Sequence, residues 1–217
     1  MRKELITATI AIVFFTLLLG VAYPLAITGV SQVLFPNKAD GSRIEVNGRT
    51  VGSKLIGQSF QKAVLGKDGK PKTDADGNEI TTPDLRYFQS RPSATGYSAD
   101  VTFFNNLGPN SRDLASFFHD NLVSYLKTER PYDPGLTRED VPVDAVTTSA
   151  SGVDPHISQA NAWIQAHRVA EVRGISLARV NDLISQNTDG RGLGLLGEPG
   201  VNVLELNLAL DKEAPVR

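Results

Sequence analysis

The chain has 217 residues, with 22 Lys and Arg against 24 Asp and Glu, a formal net charge of −2 and no cysteine. This balance excludes nucleic acid as an electrostatic partner, and the missing thiols exclude a disulfide framework and a thiolate metal site. The length accommodates a membrane segment and one domain of about 180 residues.

Arg2, Lys3 and Glu4 precede a run without charge over residues 5–37. As a helix rising ~1.5 Å per residue, residues 5–24 match a hydrocarbon core of about 30 Å, and Tyr23 falls at the interface, where aromatic rings are favoured. Pro24 is expected to kink this helix or to end its membrane part. A cleaved signal peptide, with Gly20, Val21 and Ala22 as a small-residue cleavage site, is the competing reading. Its apolar region would span about 7 to 15 residues, whereas the run here is longer and continues past the cut, which argues for a retained anchor. With Arg2 and Lys3 on the cytoplasmic side, the positive-inside rule sends the remainder across the membrane. The expected organisation is a transmembrane anchor and its extension at 1–37, then one extracytoplasmic domain at 38–217.

After Pro36 a polar, glycine-containing stretch leads to 51–60, which reads as strand and turn. Residues 61–85 are polar and carry Asp-Gly pairs at 68–69 and 76–77, so an exposed hairpin or mobile loop is expected there. Asp74, Asp76 and Asn78 lack the glycine and distal glutamate offsets of a calcium loop. Residues 86–111 mix β-branched, aromatic and turn residues and read as strand and loop. From Asn110 the spacing turns helical, with Asn110 or Ser111 as N-cap, Pro131 beyond the end, and Phe117, Phe118, Leu122 and Tyr125 as core candidates. Pro142 and Pro155 bracket an extended segment. A helix from about Gln159 to Arg173 stops at Gly174, and another after Ser176 buries Leu177, Val180, Leu183 and Ile184 and ends near Asn187. At 201–210, VNVLELNLAL alternates Leu204, Leu206, Leu208 and Leu210 with other residues, the period of a half-buried strand. Helices and strands mix without a βαβ repeat, so the fold class is α+β: a single N-terminal transmembrane helix followed by one mixed helix and sheet domain.

Three motifs resemble known sites. Residues 168–184 have the outline of a helix-turn-helix, but an outward-facing acidic domain does not meet DNA, and Arg168, Arg173 and Arg179 read as solvated charges or partner contacts. GLGLLG at 192–197 spells a dinucleotide fingerprint, yet that chemistry needs a strand before and a helix after, and the expected order is the reverse. SGVDPHIS at 151–158 brings together Ser151, Asp154 and His156, the residue types of a hydrolase, although neighbours in sequence seldom converge as a triad. Helix-start chemistry is the simpler reading, with Ser158 as N-cap or Asp154 with Pro155 one turn earlier. His119, His156 and His167 have no zinc-site spacing.

SGVDPHIS, followed by NAWIQAHRVAEVRGIS at 161–176, resembles the signature region of the KdpC family, an accessory component of the potassium-transporting P-type ATPase (Kdp) complex. Matching pieces are GSKLIGQSF at 52–60, YFQSRPSAT at 87–95, NNLGPNS at 105–111 and the closing VNVLELNLAL. They span nearly the whole chain in order, and the chain departs from the family pattern between Phe60 and Tyr87, where about 61–85 reads as an exposed insertion.

The signature positions that the resemblance marks as candidates for partner contact are Gly57, Gln58, Arg91, Pro92, Ser93, Asn106, Gly108, Pro109, Ser111, Ser151, Gly152, Asp154, Pro155, His156 and Arg168. It implies a non-catalytic, single-pass subunit of the bacterial cytoplasmic membrane. Its partners would be a channel-like potassium-translocating subunit (KdpA type), a P-type ATPase subunit (KdpB type), a small membrane peptide (KdpF type) and the lipid bilayer. ATP and Mg belong to the complex, potassium is the transported ion, and this chain itself holds no cofactor in that picture. The family is described as a catalytic chaperone that raises the ATP affinity of the hydrolysing subunit; from outside the membrane that effect has to pass through the anchor or the partners. The alternative is a free-standing, membrane-anchored extracytoplasmic hydrolase using Ser151, Asp154 and His156.

Overall fold

The computed structural model describes residues 2–98, 100–101 and 106–216. They form two compact units, Met1–Ser53 and Lys54–Arg217.

In the first unit, α1 (Arg2–Leu17), a π-helical turn (Leu18–Ala22) and α2 (Tyr23–Leu34) run on as one apolar helix of 33 residues with no buried position. At ~1.5 Å per residue it exceeds a ~30 Å hydrocarbon core, and among the described residues it is the one helix long and apolar enough to cross a membrane. Pro24 does not end it. Proline has no N–H for the carbonyl four residues back and its ring crowds that carbonyl, and the turn before it widens so that Tyr23 N–H donates to Leu18 O. After α3 (Pro36–Ala39), β1 (Arg43–Val46) and β2 (Arg49–Ser53) form an antiparallel hairpin. Asn47 and Gly48 join them with φ of 52° and 74°, the backbone a two-residue primed turn requires. The strand expected within 51–60 therefore ends at Ser53, and it begins in the polar stretch before it.

In the second unit, β3 (Gln61–Ala63) and β4 (Thr81–Pro83) pair antiparallel. Between them Val64 N–H donates to Ile80 O, Ile80 N–H to Lys72 O and Lys72 N–H to Val64 O, closing a ring of three backbone bonds. The turns of the segment fall at Gly69 and Gly77, both with positive φ, and Asp74 accepts from the N–H groups of Asp76 and Asn78. The described part of 86–111 contains no strand; Phe103, Phe104 and Asn105 lie outside the described residues. The stretch 141–154 is likewise not extended throughout, since it folds into a 3-10 turn at Val143–Ala145.

The core lies among α5 (Gln159–Arg173), α6 (Leu177–Gln186), α7 (Val203–Glu213) and a three-stranded antiparallel sheet in the order β5 (His156–Ile157), β7 (Gly200–Asn202), β6 (Thr188–Asp189). Ala162, Ala166, Val169, Val180, Leu183, Ile184, Val201, Leu206 and Leu210 fill it, together with Phe88 from the loop after β4. Small residues on α5 let its backbone approach the sheet closely. Gly174 closes α5 at φ 67°, as a left-handed cap demands, and Ser176 caps α6 by accepting from Arg179 N–H.

The strand expected over 201–210 is overturned. Only its first two residues belong to β7, and Asn202 then caps α7 by accepting from Glu205 N–H. With apolar residues at both spacings, both periods fit the letters; the buried set Val203, Leu204, Leu206, Asn207 and Leu210 is the helical one. Asn202 followed three residues later by Glu205 is a helix-start spacing.

The core expectation for α4 (Arg112–Glu129) also fails. Phe117, Leu122 and Tyr125 are only half-buried, Phe118 is 36% exposed, and the one buried residue is Glu129. This helix meets α5 through polar contacts, with Tyr125 Oη donating to Asn161 and Glu129 pairing with Arg168. The helical pattern was right, but the contact face is not its apolar stripe.

Candidate functional site

Most of the signature residues gather where three segments cross, 54–60, 87–97 and 147–158. Arg91 joins two of them. Its Nε donates to Thr147 O at 3.0 Å, one Nη to Thr148 O at 2.9 Å, and the other reaches Asp154 Oδ2 at 3.4 Å. Ser93 Oγ donates to Gly152 O at 2.6 Å and accepts from Tyr97 N–H at 2.9 Å. The Tyr97 hydroxyl donates back to Arg91 O, and burial pushes its pKa up to about 12, so it stays a donor at neutral pH.

The third segment closes on this frame through glycine. Gly57 N–H donates to Val153 O at 2.8 Å, and a Cβ at Gly57 would run into the backbone carbonyl of Asp154. Gly152, at φ 70°, lies against Thr95, whose hydroxyl a Cβ would meet at 2.7 Å. Gln58 takes part through its carbonyl, which accepts from Ser90 Oγ. Pro155 O accepts from Val203 N–H, tying the cluster to the start of α7.

The hydrolase constellation is not assembled. Ser151 Oγ accepts from Val153 N–H at 3.2 Å and neighbours Ser149 Oγ, while the His156 ring bonds Asp189 Oδ2 at 3.1 Å through Nε2. Asp154 accepts from His156 N–H at 3.0 Å, a turn-forming bond of an aspartate with the backbone two residues on. Among the described residues no imidazole is hydrogen-bonded to Ser151. Of the two caps left open for α5, Ser158 is the one used, accepting from Asn161 N–H at 3.1 Å. Its own N–H and hydroxyl donate to Asp144, and Asn161 adds a third bond to the same carboxylate, which fastens the 3-10 turn to the helix start.

Arg168 belongs to a second network, wholly inside. Its side chain is 0% exposed, which corrects the reading of it as a solvated charge or partner contact. Nε donates to both Glu129 oxygens, Nη1 to the carbonyls of Leu85 and Tyr87, and Nη2 to Gln165. Burial raises the Glu129 carboxyl above its ordinary value against the pull of Arg168. Arg173 is nearly as enclosed, over the Tyr87 ring at 4.7 Å and paired with Asp211 at 2.9 Å, whereas Arg179 pairs with Glu213 at the surface. Gln165 and Asn207 clamp the backbone of Gln89 and Phe88 from either side, each amide donating to a carbonyl and accepting from an N–H.

Asn106, Gly108, Pro109 and Ser111 stand apart from both networks as the entry to α4, where Ser111 Oγ caps by accepting from Leu114 N–H and Asn106 adopts a φ of 46°. Pro92 and Ser93 border a cleft of about 440 Å³ that also meets Gln89, Tyr125, Asn161 and Gln165. Among the described residues no three His, Asp or Glu side chains group as a metal site would need.

Sequence reasoning missed Glu129, Asp144, Asn161, Gln165 and Asn207. The available signal was the polar row Asn161, Gln165, Arg168 at i, i+4, i+7 on α5, opposite an exposed Trp163, an inversion of the usual amphipathic order.

The family described as "K+-transporting ATPase, c chain" matches residues 5–212. A potassium-transporting ATPase KdpC subunit of Koribacter versatilis is 44% identical over 100% of this chain and 98% of its own length. Proteins of the same name from Mycobacterium tuberculosis (strain H37Rv) and Rhodospirillum rubrum are 42% and 43% identical over 98% and 100% of this chain, and over 100% and 99% of their own.

Proposed function

The chain belongs to the c-chain family of K+-transporting ATPases, and from that premise we propose that it is a non-catalytic accessory and assembly subunit of a high-affinity, ATP-driven potassium uptake pump. In this reading α1 and α2 anchor it in the bacterial cytoplasmic membrane with Arg2 and Lys3 inside and residues 38–217 outside. It assembles with a channel-like potassium-translocating subunit, a P-type ATPase subunit and a small membrane peptide. ATP and Mg are used by the hydrolysing partner. A rise in that partner's ATP affinity passes through the anchor helix or through contacts between the outer parts of the pump, because the bilayer separates the outer residues from cytoplasmic nucleotide.

One observation carries the non-catalytic assignment. The signature side chains close on backbone groups of their own chain: Arg91 on the carbonyls of Thr147 and Thr148, Ser93 on Gly152, Ser151 on Val153 N–H. A nucleophile needs a base within hydrogen-bond reach, and the Ser151 hydroxyl and the His156 ring are turned to different partners. Such a cluster holds a surface in shape for a partner.

The experiment is purification from host membranes through a tag on this chain. The preparation should show potassium-stimulated ATPase activity, and membranes from a strain lacking this chain should show less of that activity and a higher KM for ATP. Substrate turnover by the isolated chain, with no ATPase in the preparation, would restore the hydrolase. For orientation, Asp76→Cys introduces the single thiol of an otherwise cysteine-free chain. It should react with a membrane-impermeant reagent in intact cells, and labelling only after lysis would reverse the topology.

A further inference from the structure

Residues 192–197, the letters GLGLLG, form neither a nucleotide site nor a slack connection. They are the tip of the link between β6 and β7. Gly192 N–H donates to Leu196 O at 2.7 Å and Leu196 N–H to Gly192 O at 2.8 Å, while Gly194 N–H bonds Arg191 O at 3.0 Å. Below this knot Arg191 pairs with Glu198 at 2.8 Å across the neck. The tip is thus built and held, and it projects three leucines: Leu193 is 93% exposed, Leu195 83% and Leu196 66%.

Two features run against solubility and local preference. Three large apolar side chains in water forgo the burial that stabilises such groups elsewhere. Leu193 also stands at φ 52°, a left-handed conformation that γ-branched residues avoid and glycine adopts freely. Neighbouring Gly194 and Gly197 take their positive φ without strain. A leucine kept at the position where glycine costs least points to the side chain being used.

We propose that this tip is a docking knob that seats in an apolar, uncharged pocket of another protein subunit of the pump, an inference that rests on the accessory-subunit reading above. The charge pattern selects protein over lipid. Residues 189–198 hold Asp189, Arg191 and Glu198, with no lysine and no aromatic residue. A segment that enters a bilayer surface carries basic and aromatic flanks, whereas the one basic side chain of this neck, Arg191, is already paired with Glu198. A pre-formed turn with neutral apolar extremities and self-paired charges at its base matches a pocket with an apolar floor and a polar rim.

The test uses the full chain in its host, tagged and co-purified with the pump. Leu193→Ser, Leu195→Ser and Leu196→Ser combined should leave the thermal melt of the chain unchanged and cut the co-purified potassium-stimulated ATPase activity by about tenfold or more, as expected for losing buried anchor contacts. Leu193→Gly should keep or raise the melting temperature and still weaken recovery. A photo-crosslinking amino acid at position 195 should give an adduct with another pump subunit. Full recovery of activity by the triple variant, or an adduct with lipid or with a second copy of this chain, overturns the inference while leaving the accessory reading intact. A wild-type chain that recovers no ATPase activity overturns that reading, and the inference with it.

Discussion

The seam between α4 and α5 buries Arg168, Glu129, Gln165 and Asn161, while the link between β6 and β7 exposes Leu193, Leu195 and Leu196. Each region inverts the usual distribution, in opposite directions. The seam is tolerable because every inverted group has a partner: Arg168 alone donates to a carboxylate, two carbonyls and an amide oxygen. At the tip the leucines stay open to solvent. A buried charge that is fully bonded reports on the fold of this protein, and an exposed leucine held in a strained turn reports on something outside it.

The largest expected effect lies in the seam. Arg168→Met leaves Glu129 buried without its cation and should cost about 3–5 kcal/mol, read from denaturant unfolding of the purified chain. Adding Glu129→Leu should recover much of that loss, since the penalty comes from the unpaired charge. A single variant as stable as wild type would mean that the seam is hydrated and the contrast with the tip is false.

The crossroads of the signature segments is closed as tightly at one point. Gly57→Ala forces a methyl group against the Asp154 carbonyl, which is backbone and yields only by displacing the 151–158 turn; a loss of about 1–3 kcal/mol is expected in the same measurement. Next in size is Ser158→Ala, which removes the N-cap of α5 and one of the bonds to Asp144, at about 0.5–2 kcal/mol. Asp154→Ala should cost less, because it does not cap the helix; the reverse order would return the cap to Asp154.

Asp84 supplies a smaller effect with a defined pH window. Hydrogen bonds from Arg86, foremost among the causes, hold its carboxyl below the ordinary value. A depressed folded-state pKa contributes stability that is present above the unfolded value, near 3.8, and is lost as pH falls through the folded one. Asp84→Asn should therefore flatten the fall of melting temperature below about pH 4, and an unchanged acid slope would discount the pair. The least effect on stability belongs to the tip. Serine at Leu193, Leu195 and Leu196 should change unfolding by no more than about 0.5 kcal/mol, which sharpens the contrast with Arg168.

What the sequence by itself determined rests on short-range physics. An uncharged run behind Arg2 and Lys3 makes an apolar helix wherever it lies, and Ser111, Ser158, Gly174 and Ser176 mark the ends of α4, α5 and α6 because a cap needs only a side chain and the N–H or carbonyl groups a turn away. The recurring segments identified the family. Tertiary structure decided the rest, since it depends on what lies opposite. VNVLELNLAL satisfies a two-residue and a 3.6-residue period alike, and only packing against α6 and β7 chose helix for α7. Phe117 and Phe118 obey the helical period, but α4 turns Tyr125 and Glu129 toward α5 instead. Arg168 looks like any surface arginine until Glu129, thirty-nine positions earlier, and the carbonyls of Leu85 and Tyr87 surround it. Local hydrogen bonds can be read from neighbours in the chain, whereas the partner of a buried charge, and the exposure of a leucine, are decided only once distant segments have met.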